Sequence, residues 1–116
     1  MTQPKPQPIP VPDGSALTTA AADWELSPTE TVALAQAARV LDVIADLEAA
    51  LVASGVVTAA GRPSPLLPEI RQQRATLVKL LGLLDLRLSE DDDGQPVISP
   101  TSRSARAAAR ARWSRR

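Results

Sequence analysis

Residues 27–55 read SPTETVALAQAARVLDVIADLEAALVASG, and this stretch decides the expected fold. Ser27, Pro28 and Glu30 stand where a helix places its N-cap, its N1 proline and the N3 carboxylate of a capping box. Ala37, Val40, Leu41, Ile44, Leu47 and Leu51 then recur at helical spacing on one stripe. Arg39, Asp42 and Asp46 lie on the opposite face, and Gly55 is a C-terminal stop. The reading is a helix over 28–53, ~40 Å long at ~1.5 Å per residue.

A second helix begins near Pro65 or Pro68, both compatible with a first turn, with Glu69 suited to the N-terminal dipole. Leu66, Ile70, Leu77, Leu81 and Leu84 form its stripe, with Leu80 beside it. Gly82 weakens its end, so it stops near 84 and frays to 88. Between the helices, Gly55 to Pro63 carries two adjacent valines, then Gly and Pro. That composition suits a short β-hairpin or a plain loop equally. Two helices joined this closely fold back as an antiparallel hairpin. Such a hairpin cannot bury both faces of two apolar stripes by itself, and small domains in this position associate. Val40, Leu41, Ile44, Leu47, Leu51, Ile70, Leu77, Leu81 and Leu84 are therefore expected to form an oligomer core.

The rest of the chain is read around that hairpin. With 116 residues there is room for one small domain. The aromatic residues are two Trp, with no Phe and no Tyr, so any core is aliphatic and suits packed helices. Cys and His are absent, which excludes disulfides, thiol catalysis, Cys/His zinc sites and a histidine base. No apolar run approaches a membrane span of ~18–20 residues, and the N-terminus lacks the apolar h-region of a signal peptide. A soluble, intracellular protein is expected. Five of the 11 prolines fall at positions 4, 6, 8, 10 and 12, which predicts an extended, disordered arm over 1–22. The hairpin domain is then 23–88. Residues 89–101, SEDDDGQPVISPT, read as an acidic linker. A calcium loop fails there, because Ser89 and Pro100 stand where EF-hand acids would be needed. The expected fold class is all-α.

Zero net charge hides a strong segregation. Residues 102–116 hold six Arg and no acid, while 1–101 hold 7 basic and 13 acidic residues, a formal −6. The alanines of the last segment favour helix, and on a helix Arg103, Arg106, Arg110 and Trp113 share one arc. Together with Arg112, Arg115 and Arg116 they make an electrostatic footprint for phosphates, and Trp113 offers a ring for stacking. The other role of such a tail is docking on an acidic protein partner; a membrane-surface helix would need a broader Leu/Phe face. Arg71, Arg74 and Lys79 are the charged members of the second helix. Contact with DNA or a neighbouring subunit is a reading for all three, and for Arg71 and Arg74 the other is pairing across the hairpin with Asp42, Asp46 or Glu48. Catalysis is not expected: no phosphate-cradling Gly cluster exists, no imidazole can activate a hydroxyl, and Asp42 and Asp46 read as a solvated face. No cofactor or metal is expected.

Several runs of this chain resemble a known family. Trp24-Glu25-Leu26-Ser27, Leu34-Ala35-Gln36-Ala37-Ala38-Arg39 and Ile44-Ala45-Asp46-Leu47-Glu48-Ala49-Ala50-Leu51 look like the small terminase subunit of tailed phages of actinobacteria. The more specific stretch is Pro65-Leu66-Leu67-Pro68-Glu69-Ile70-Arg71-Gln72-Gln73-Arg74-Ala75-Thr76-Leu77-Val78-Lys79-Leu80-Leu81. It is similar to that family's P-x-L-x-E-[IL]-R-Q-Q-R-x-x-L-x-[RK]-L-L pattern. The ending Ala108-Ala109-Arg110-Ala111-Arg112-Trp113 is similar to the tails of such proteins. The resemblance covers about residues 24–86 and the tail. It implies a non-catalytic DNA-packaging role in the host cytoplasm. It also implies a ring-like homo-oligomer that recognises double-stranded viral DNA and works with the large, ATP-hydrolysing subunit. The chain departs from the fuller pattern in having no helix-turn-helix before residue 24. The competing expectation is a helical assembly adaptor whose basic tail docks on an acidic protein and never touches DNA.

Overall fold

The computed structural model describes residues 9–100. Six elements follow one another: β1 (Ile9–Pro10), α1 (Gly14–Ala20), α2 (Pro28–Ser54), α3 (Leu66–Gly82), β2 (Leu86–Glu90) and β3 (Pro96–Pro100). The long helical hairpin stands as read. α2 opens on the capping box, with the Glu30 N–H donating to Ser27 Oγ at 3.2 Å and the Ser27 N–H donating to Glu30 Oε1 at 3.0 Å. It closes at Gly55, whose φ of 86° lies outside the helical range. The connection to α3 holds one isolated bridge, Val57 to Pro63, flanked by the Ser64 N–H on the Val56 carbonyl. That is the smallest form of the short hairpin considered for this stretch.

The all-α expectation is overturned. A three-stranded antiparallel sheet, ordered β1-β3-β2, packs with the helices. The expected acidic linker forms most of it. Asp85 takes a φ of 57° just after α3 and turns the chain into β2, a conformation that Asp tolerates better than most residues. At the tip, the Asp91 carboxylate accepts from the N–H groups of Asp93 (2.9 Å) and Gln95 (2.8 Å). Gly94, at φ 78°, donates its N–H to the Asp91 carbonyl. This is an Asx-stabilised turn followed by a left-handed glycine, a standard hairpin connection. Leu86 and Leu88 on β2 and Val97 and Ile98 on β3 supply the apolar content that the acids obscure.

The arm expected to be disordered over 1–22 is also corrected where it is described. Ile9 and Pro10 pair with Ile98 and Val97, and α1 follows, capped by Asp13, whose side chain accepts from the Ala16 N–H. Val11 and Leu17 are both fully buried. One core therefore joins Val11, Leu17, Ala33, Ala37, Leu41, Ile44, Leu77, Leu81, Leu84, Leu86 and Ile98, with Trp24 and Leu26 packed against it. The Arg-rich helix expected over 102–116 lies outside the described residues.

Candidate nucleic-acid interface

The described body is acidic overall. It carries six basic residues, Arg39, Arg62, Arg71, Arg74, Lys79 and Arg87, against thirteen acids, a formal −7. Three of those acids, Asp91, Asp92 and Asp93, crowd the exposed β2–β3 tip. Like charge of this size repels phosphate at moderate salt.

Within α3 the two arginines of the Arg-Gln-Gln-Arg run part company. Arg74 is half-buried and spans two acids from different elements. Its guanidinium lies 3.4 Å from Glu48 of α2 and 3.2 Å from Glu90 of β2. The pairing across the hairpin considered from sequence is thus found for Arg74, with Glu48, and Glu90 is a second partner that the linker reading hid. Arg71 and Lys79 are both exposed. Lys79 sits in the last turn of α3, where a cation complements the helix dipole. Arg71 projects three residues before Arg74 and remains available for a ligand or a neighbour.

The candidate oligomer-core residues divide similarly. Leu41, Ile44, Ile70, Leu77, Leu81 and Leu84 are buried within the single chain, and Val40, Leu47 and Leu51 are half-buried. α1 and the sheet supply cover that the hairpin lacked when read alone. Burial decays along α2: Leu41 and Ile44 are covered, Leu51 is not fully so, and Val52 is 86% exposed. Val56 and Val57 continue this uncovered end into the loop. Arg103, Arg106, Arg110, Arg112, Trp113, Arg115 and Arg116 lie outside the described residues.

Among the described residues no three acidic side chains gather closely enough to hold a metal ion, and no helix is long and apolar enough to cross a membrane. No protein-family model, curated protein or solved structure matches the chain.

Proposed function

We propose that this chain is a small terminase subunit of a tailed phage, a non-catalytic DNA-recognition and regulatory component of genome packaging. On this reading it acts in the host cytoplasm as a homo-oligomer with the large terminase subunit. The observation that carries the proposal is the separation of charge: a body at −7 over 9–100 and a tail at +6 over 102–116. The acids of the body steer double-stranded DNA to the tail arginines, because phosphate neutralisation dominates such affinity. The resemblance over 65–81 supports the family assignment, and that stretch coincides with α3. Support for self-association comes from the far end of the hairpin, where Leu47 and Leu51 are half-buried and Val52, Val56 and Val57 are exposed.

The competing reading is the adaptor whose tail docks on an acidic protein. Six arginines recognise a carboxylate surface as well as a phosphate backbone, so charge alone supports both. Binding of labelled duplex DNA, measured as salt is raised, separates them. The terminase reading expects affinity that falls with a log–log slope of about −0.9 per phosphate neutralised. No DNA affinity at low salt would instead select the adaptor.

A further inference from the structure

Leu41, Ile44, Leu77 and Leu81 are buried inside the single chain, so the stripe that two copies would otherwise share is already covered. The other side of α2 is not. α2 turns Ala33, Ala37, Leu41 and Ile44 to the core, and α1 is seated at its flank through Gly14 and Asp42. Val32, Ala35, Val43, Ala50 and Ala53 are exposed. At ~100° per residue they fall in one arc of about 80° on the solvent side.

Two charges stand on that arc, Arg39 and Asp46, both exposed. Seven residues of helix hold their backbones ~10 Å apart, too far for them to satisfy each other. Among the described residues the ion pairs are those of Arg74. The arc is symmetric in sequence. Val32 and Ala53, Ala35 and Ala50, and Arg39 and Asp46 each lie equally far from a point between Asp42 and Val43.

An antiparallel copy of α2, placed about a two-fold axis at that point, sets Arg39 against Asp46 of the second copy and Asp46 against its Arg39. Both ion pairs form at once, as a two-fold interface requires. Val32 meets Ala53 and Ala35 meets Ala50 on either side, and the two copies of Val43 meet near the axis. Asp42, beside the axis, is held to the flank by the Gly14 N–H. The alanines let the helices approach toward the near end of the ~8–10 Å range of axial distances. A parallel copy in register would instead set Arg39 on Arg39 and Asp46 on Asp46, so charge selects the antiparallel direction.

We propose that the outer face of α2 is a two-fold interface with a second copy of this chain, in which Arg39 and Asp46 pair reciprocally. The interface deepens the homo-oligomer part of the functional reading and rests on that part alone; DNA binding plays no role in it.

The test measures solution mass by light scattering for the full chain, Arg39→Glu, Asp46→Lys, the double variant and a 1:1 mixture of the two single variants. Far-ultraviolet circular dichroism checks folding. Each single variant is expected to fall to half the wild-type mass or less, because one substitution sets two like-charged pairs across the axis. The double variant and the mixture are expected to return to the wild-type mass, because each restores opposite charges in both pairs. A folded single variant that keeps the mass of a multimeric wild type, or a mixture that stays at the lower mass, overturns the pairing and leaves the homo-oligomer reading standing. A monomeric wild type overturns both. If a single variant does not fold, Val43→Lys decides, since it puts two like charges near the axis: a halved mass supports the interface, and a folded Val43→Lys at wild-type mass overturns it.

Discussion

The Asp42 carboxylate accepts a hydrogen bond from the Gly14 backbone N–H at 2.9 Å, across 28 residues of chain. This contact seats the first turn of α1 on the side of α2. It also explains the glycine, since a Cβ at position 14 would overlap the carbonyl oxygen of Ala38 and crowd the Asp42 carboxylate. Gly14→Ala is expected to destabilise the protein by roughly 1–3 kcal/mol through this overlap. Asp42→Ala should cost about 1 kcal/mol, and Asp42→Asn less, because its amide oxygen still accepts. Denaturant midpoints measure all three.

Leu17 and Ile98 show that α1 and the sheet belong to the core. Both are fully buried and lie in the same cluster as Leu41, Leu77 and Leu81. Leu17→Ala and Ile98→Ala should each lower stability by roughly 2–5 kcal/mol. If the hairpin folded without them, the two substitutions would leave the unfolding transition where it is.

These two residues also mark what was legible in the sequence. The bounds of α2 were readable because caps are local signals: Ser27, Pro28, Glu30 and Gly55 act within a turn of where they stand. α3 was readable from its apolar period, but its end, read near 84 with fraying to 88, falls at Gly82, and β2 begins at Leu86. The sheet was not readable for the opposite reason. Its strands are short, β1 pairs with β3 from the far end of the chain, and Asp91 to Asp93 look like solvated linker. The signal present was the Asp93-Gly94 pair between Leu86/Leu88 and Val97/Ile98. In the N-terminal segment the prolines suggested polyproline, whose extended backbone is close to that of a strand. The interleaved Ile9 and Val11 were the contrary evidence. For the candidate site, the charge segregation was legible at once. The Arg74 pairing was legible only for Glu48, because Glu90 reaches Arg74 through a hairpin that the linker reading lacked.

Arg71 and Arg74 should behave differently on substitution. Arg74→Ala removes a half-exposed pair of salt bridges and is expected to cost less than ~1 kcal/mol of stability, with the salt slope of DNA binding unchanged. Arg71→Ala is expected to leave stability within about 0.5 kcal/mol. A loss of DNA affinity for Arg71→Ala alone would add the face of α3 that carries it to the DNA interface.

Truncation of residues 102–116 removes all six tail arginines. It should abolish most duplex binding at low salt and leave the oligomer intact, because the expected oligomer core runs from Val40 to Leu84. Electrophoretic mobility of a labelled duplex, read beside the solution mass, checks both halves. Unchanged affinity would move the interface to the hairpin.

The central claim is a DNA-binding homo-oligomer, and the most direct measurement is the solution mass of the full chain by light scattering, alone and with duplex DNA in low salt. The account predicts a single multimeric species that gains mass when DNA is added. A monomer, or a multimer whose mass ignores DNA, would contradict it.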